Sequence, residues 1–181
     1  MLYTQKTITL KDGRKAVLRS PELSDAKEML DYLTKATGET EFLASYPEEL
    51  TYTVESEAAY IKNILNSPQN MMIACTVDGK LAGNCQIVFL GGMKTRHRAA
   101  VMIGLLKEFW GLGIGSAMFR EMELAARQNG IDQMELEMIE GNERGLSLYK
   151  KMGFEVMAEH PNAFKLKDGS LRKAIYMRKL L

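Results

Sequence analysis

The stretch FWGLGIGSAM, residues 109–118, sets glycines at positions 111, 113 and 115 directly before a run with the apolar period of a helix. Glycine is a weak helix former, so three of them at a helix start need a reason. A strand, a glycine-dense turn and a helix N-terminus in succession gather several unpaired backbone N–H groups around one point, and the positive end of the helix dipole reinforces them. Anions bind at such points, phosphates above all. Gly111, Gly113 and Gly115 remove side chains that would hold a pyrophosphate away from those amides, and they permit backbone angles that other residues resist. Neither familiar phosphate motif fits: a P-loop needs GxxxxGK followed by Ser or Thr, and a dinucleotide fingerprint needs GxGxxG, whereas Ser116 leaves the pattern GxGxG. A tight turn with close helix-to-sheet packing is the competing explanation.

Working outward, HRAAVMIGLL (97–106) reads as a strand before the turn, and its apolar run from Ala99 to Leu106 suits the middle of a sheet covered on both faces. After the turn, Ile114, Met118, Met122 and Ala125 recur at helical spacing, and Asn129-Gly130 ends the helix. QMELEMI (133–139) alternates as a strand, Asn142 is placed to cap a helix over 142–153, and two further strands surround KLKDGSLR (165–172). Upstream, KAVLRS (15–20) is a strand and a helix opens at Ser20 or Ser24 and stops at Gly38. ETEFLASYPEEL (39–50) has no clean period and forms a loop or short turns. Val54, Ala58, Ile61 and Leu65 mark one face of a second helix. MMIACTV and LAGNCQIVFL flank Asp-Gly-Lys, a hairpin signal. The order β, two helices, β meander, α, β, α, β, β predicts one mixed α/β domain over residues 1–181, its central sheet flanked by helices.

Composition bounds the function. A chain of 181 residues with 46% hydrophobic and 26% charged residues suits one globular domain, and a net charge of +1 gives no global pull toward nucleic acid or anionic membrane. The basic runs KTRHR and LRKAIYMRK are short, as solvated turns or strand edges are. Cys75 and Cys85 lie in apolar stretches without a CxxC or Cys/His cluster, so neither a metal site nor a disulfide scaffold is indicated, and buried thiols in a reducing compartment follow. No targeting segment or spanning apolar run is evident, which makes the cytoplasm the expected location.

The segment EGNERGLSLYKKMGF (140–154), taken with LLKEFWGLGIGSAM (105–118), resembles the GCN5-related N-acetyltransferase (GNAT) superfamily, whose members transfer an acyl group from acyl-CoA to an amine. The resemblance implies a mixed, mostly antiparallel sheet, acceptor-side helices at about 20–66 and an acyl-CoA-binding core at about 97–154. The family's Q/R-x-x-G-x-G/A loop, which wraps the CoA pyrophosphate, maps to Trp110, Gly113 and Gly115. It brings in the backbone of Gly111, Leu112, Ile114 and Ser116. Trp110 departs from the usual Gln or Arg, which removes a polar contact and suggests packing under the loop. The downstream family pattern is met by Asn142, Tyr149, Gly153 and Phe154, with Gly145 where alanine is usual.

The resemblance implies acetyl-CoA as cosubstrate, no metal, and direct attack by the acceptor amine in a ternary complex. Tyr149, with a reference pKa of about 10, is an un-ionised O–H donor suited to the departing thiolate; a half-buried core tyrosine is the plainer reading. Asn142 is read as both cap and cofactor contact. A backbone N–H in the region Leu105, Leu106, Lys107 would polarise the thioester carbonyl. An alkyl ammonium near pKa 10.4 needs a base, an α-amine near about 8 much less. Some members carry a glutamate on the fourth strand, where counting back from Gly113 finds Ala99. The base therefore lies elsewhere: Glu137 and Glu41 are the candidates, each also readable as a surface charge, and His97 between two arginines reads as structural. Glu41, Glu48 and Glu49 could attract a cationic amine. The acceptor is a small-molecule or peptide amine, and a homodimer through an exposed strand edge stays open. A non-catalytic acyl-CoA-binding regulatory module on the same fold is the alternative, and a generic nucleotide-binding protein a third reading.

Overall fold

Asp78 and Gly79 both adopt positive φ, 51° and 76°, the conformation a two-residue hairpin turn demands. In the computed structural model, which describes residues 1–181, this turn joins β3 (Asn70–Val77) to β4 (Lys80–Phe89). Before it come β1 (Lys6–Thr9), β2 (Lys15–Arg19), α1 (Ala26–Glu39) and α2 (Val54–Asn66). After it follow β5 (Arg98–Leu105), α3 (Ile114–Gln128), β6 (Gln133–Ile139), α4 (Glu143–Lys151), β7 (Glu155–Lys165) and β8 (Leu171–Leu180). The eight strands form one sheet in the order β1-β2-β3-β4-β5-β6-β8-β7. Every pairing is antiparallel except β5 with β6. The fold is therefore the mixed, mostly antiparallel sheet flanked by helices that the sequence implied.

The two faces of the sheet are covered by different helices. A Cβ built at Gly104 would stand 2.4 Å from Tyr32 Oη of α1, while one built at Gly115 of α3 would stand 3.7 Å from Ile103 Cδ1 and 3.8 Å from Leu105 Cδ1. Alternate residues of β5 thus face α1 and α3. Ile114, Met118 and Met122 bury the inner stripe of α3 completely, as their spacing required.

Three expectations are corrected. β1 escaped the sequence reading, because Lys6, Thr7 and Thr9 are exposed and the strand is an edge of four residues. The buried stripe of α2 is Glu57, Ile61 and Ile64, and Val54 is exposed; the apolar face is rotated, and a carboxylate takes one of its positions. β5 is not covered on both faces along its length: Met102 is 50% exposed, since α1 and α2 stop short of the β6 side of the sheet.

Asp25, buried at the start of α1, is held by Arg19 Nη1 and Nη2 at 2.6 and 2.8 Å and by the Glu22 amide at 2.7 Å. Burial pushes its carboxyl up, but those bonds outweigh it and the net shift is downward. A depressed folded pKa stabilises the fold above the ordinary carboxylate value and loses that contribution as pH falls through the folded value. Asp25→Asn is expected to cost about 3 kcal/mol at neutral pH. Thermal melts should show the deficit shrinking as pH drops below about 3.9.

No helix is long and apolar enough to cross a membrane.

Candidate active site

β5 and β6 pair only at Arg98–Gln133, Ala99–Met134 and Ala100–Glu135. Arg98 clamps this closed end by a two-pronged ion pair to Glu135, at 2.5 and 2.6 Å. Beyond it the strands part, and the gap opens into a cleft of about 720 Å³. Its walls are the end of β5, the 109–113 loop, the first turn of α3 and the inner side of α4. Phe42, from the irregular segment after α1, reaches across the mouth to within 3.6 Å of a Cβ position at Gly141.

The three glycines have separate reasons. Gly111 and Gly113 have φ of +78° and +97°, so both occupy the left-handed region that favours glycine. Gly115 is ordinary helix, but a Cβ there would stand 2.9 Å from Leu148 Cδ2, so its absence lets α4 close on α3. Gly113 is the N-cap and supplies no side-chain acceptor; the first intrahelical bond is Ala117 N–H to Gly113 O at 3.1 Å. The amides of Ile114, Gly115 and Ser116 donate to nothing in the protein and open on the cleft. An uncapped helix start with free amides is an anion site. Leu112 does not line the cleft; its carbonyl accepts from the Lys11 amide at 3.1 Å, bracing the loop from behind.

Trp110 lines the cleft, but its indole N–H donates to Leu105 O at 2.7 Å and its ring lies 5.1 Å from the Arg144 guanidinium. It therefore fastens the loop to the strand. Of the three amides offered for the thioester carbonyl, two are engaged within the protein. Leu106 N–H donates to Ala82 O at 3.0 Å, and Lys107 N–H donates to Glu39 Oε2 at 2.7 Å. Amides alternate along an extended strand, so the Leu105 N–H turns away from β4, toward the gap that β6 leaves.

Tyr149 of α4 lines the cleft. Its ring is wedged between Phe119 and Phe154, with centroids 5.6 and 6.4 Å away, and its hydroxyl makes no hydrogen bond inside the protein. Burial raises its pKa, so it remains a proton donor throughout the neutral range. Asn142 caps α4, its Oδ1 accepting from Gly145 N–H at 2.9 Å, and it too lines the cleft. A Cβ at Gly145 would stand 2.7 Å from Asn142 Nδ2, so alanine there would need the capping side chain to shift.

The candidate bases are not brought to the cleft wall. Glu137 is exposed on β6 opposite Tyr176. Lys179, on the alternate face of β8, bonds Glu123 of α3, so Glu137 points to the α1 side. Glu41 lines a neighbouring hollow of about 600 Å³ that shares Thr40, Phe42 and Trp110 with the cleft. Glu48 is paired to Lys167 at 2.7 Å, and Glu49 accepts from the Tyr46 amide at 2.7 Å, so both brace the segment after α1. His97 is exposed just before β5, at the end opposite the cleft. The sequence reading missed Lys11, Glu39, Phe42 and Arg144, because each acts through a contact between distant segments that no local pattern announces.

A sequence model described as the acetyltransferase (GNAT) family matches residues 30–154. The chain belongs to that family, and acetyl transfer is the family's chemistry. An Escherichia coli (strain K12) relative named L-amino acid N-acetyltransferase AaaT is 28% identical over 110 residues, 60% of this chain and 67% of that protein. A GNAT-family acetyltransferase from Streptococcus pneumoniae superposes with a TM-score of 0.85 at 23% identity, covering 92% of this chain and 99% of that one. yncA from Salmonella typhimurium, solved with its cofactor acetyl-CoA, gives a TM-score of 0.79 at 16% identity, over 92% and 94% of the two chains.

Proposed function

We propose that this protein transfers the acetyl group of acetyl-CoA to a primary amine, carried by a small molecule or a peptide, by direct attack within one complex. The observation that carries the reading is the pairing, across one cleft, of three free N-terminal amides on α3 with an unbonded hydroxyl on Tyr149. The amides of Ile114, Gly115 and Ser116 would hold the pyrophosphate, and the cleft volume accommodates a cosubstrate arm running toward Gly104 and Leu105. The Leu105 N–H would face the thioester carbonyl oxygen, and Tyr149 would donate to the departing sulfur. Neither cysteine is placed to carry a covalent acyl-enzyme. Cys75 and Cys85 are fully buried, and burial pushes the Cys75 thiol up to about 12 and that of Cys85 higher still. Those thiols fit the reducing cytoplasm as the working compartment.

Glu137, on the α1-facing side of β6, would accept the amine proton through water. Glu137→Gln is then expected to lower kcat/KM by about a hundredfold at pH 7 for an alkyl amine. The deficit should narrow toward pH 10, where the amine loses its proton unaided; a deficit constant with pH would remove Glu137 from that role.

The founding experiment is isothermal titration with acetyl-CoA, with ADP and NAD as controls, followed by thiol release against a panel of amines. Selective acetyl-CoA binding with amine-dependent release supports the transferase. Binding without release for any amine favours a regulatory acyl-CoA-binding module.

A further inference from the structure

The unusual residue of the acceptor-side helices is Glu57. It occupies the fourth position of α2, after the N-cap Thr53, where an apolar side chain ordinarily meets the residue preceding the cap. The residue preceding the cap is Tyr52, 59% exposed, and one turn further on stands Tyr60, 46% exposed. Glu57, one turn before Tyr60 on the same helix, is only 6% exposed, and neither a hydrogen bond nor an ion pair reaches its carboxylate. Burial raises its carboxyl above the ordinary range, and Glu57 and Tyr52 both lie close enough to Tyr60 to influence its phenol. Its carboxylate oxygens keep an edge to solvent, but the partial loss of water around an unpaired carboxylate is costly and no group of the chain offsets it.

Its position relates it to the cleft. α2 ends four residues before β3 begins and lies against it, so it runs antiparallel to β3 and hence to β5. The start of α2 therefore lies toward the end of the sheet where the cleft opens. Tyr60 Oη bonds Gln86 Oε1 at 3.0 Å, and Gln86 is the cross-strand neighbour of Met102, the half-exposed residue of β5. Gly104, a cleft residue, is two positions further along β5, roughly 7 Å.

We propose that Tyr52, Glu57 and Tyr60 form a subsite for a second ammonium group of the acceptor, so that the preferred acceptors are diamines or polyamines with a short aliphatic spacer. Two tyrosine rings offer faces to a cation, and the ammonium supplies the counter-charge that the Glu57 carboxylate lacks in the free protein. The spacer would lie over Met102 while the other amine reaches Gly104. This rests on the acetyltransferase reading for the first amine, but the subsite itself can be measured without turnover.

The test is calorimetric titration of the protein, free and in the presence of CoA, with cadaverine and with pentylamine, which differ by the second ammonium alone. The unchanged protein should bind cadaverine at least tenfold more tightly. Glu57→Gln should abolish that preference, and Tyr60→Leu should reduce it severalfold. Because Glu57→Gln removes an unpaired buried charge, its thermal midpoint should be no lower than that of the unchanged protein, which guards against a folding artefact. Equal affinity for the two amines, or a preference that survives in both variants, overturns the proposal. Titration with acetyl-CoA on the same samples separates the two readings: failure to bind it removes the transferase, while the cadaverine comparison still decides the subsite.

Discussion

Gly113→Val is expected to reduce acetyl-CoA affinity by at least a hundredfold while the domain stays folded. The backbone at this position has φ +97°, and a side chain there costs about 1–2 kcal/mol in strain, within the several kcal/mol that keep a domain folded. Space in the protein is not the obstacle, for a Cβ would meet only Lys11 Cγ, at 4.0 Å. The damage falls on the amides: a branched side chain at the N-cap stands beside the N–H groups of Ile114, Gly115 and Ser116, and shifting the left-handed cap re-aims them. Gly130→Ala provides the control. Gly130, just after α3, has φ +66° and open space around its Cβ position, so it carries comparable strain at the end of the helix remote from the loop. Calorimetry should find Gly130→Ala binding acetyl-CoA normally with a lowered thermal midpoint. Normal affinity in Gly113→Val would sink the pyrophosphate assignment, whatever the family.

How much of this was legible beforehand differs between the two halves of the site. The proposed cosubstrate half is local: the glycines, the N-cap Asn142 and Tyr149 sit within short motifs whose spacing maps onto turns and helix faces, and the structure gathers them around one cleft. The closed end of β5 and β6 and its opening beyond Ala100 were not legible, because strand divergence depends on where pairing stops rather than on either strand's pattern. The contacts that brace the cleft are non-local. Phe42 acts by crossing to Gly141, Glu39 by bonding the Lys107 amide, and Lys11 by bracing Leu112, each across a long sequence separation. Glu57 shows the same limit from the other side: periodicity selected Val54, Ala58, Ile61 and Leu65, and only the packed helix reveals that the stripe is rotated onto a carboxylate. Apolar patterning finds the residues that folding buries for its own sake, and it passes over a charge that folding buries at a cost.

Tyr149→Phe separates the chemistry from the scaffold. The ring contacts with Phe119 and Phe154 do not involve the hydroxyl, which has no hydrogen bond within the protein, so the variant should fold with a thermal midpoint close to the original. Acetyl-CoA affinity should move by less than about threefold, since the proposed pyrophosphate site is made of α3 amides. Turnover should fall by about 10²–10⁴, the range for loss of a positioned proton donor. The pH profile adds an independent sign. Because burial raises the phenol's pKa, the donor stays protonated through the neutral range, and its loss of function on the alkaline side belongs above the ordinary tyrosine value of about 10. A leaving thiol with a lower pKa needs less help on departure, so a cosubstrate analogue with a more acidic leaving group should recover much of the lost rate in Tyr149→Phe and gain little in the unchanged enzyme. Unchanged turnover in Tyr149→Phe would return the residue to the aromatic cluster it shares with Phe119 and Phe154, and the protonation of the leaving group would then fall to water in the cleft.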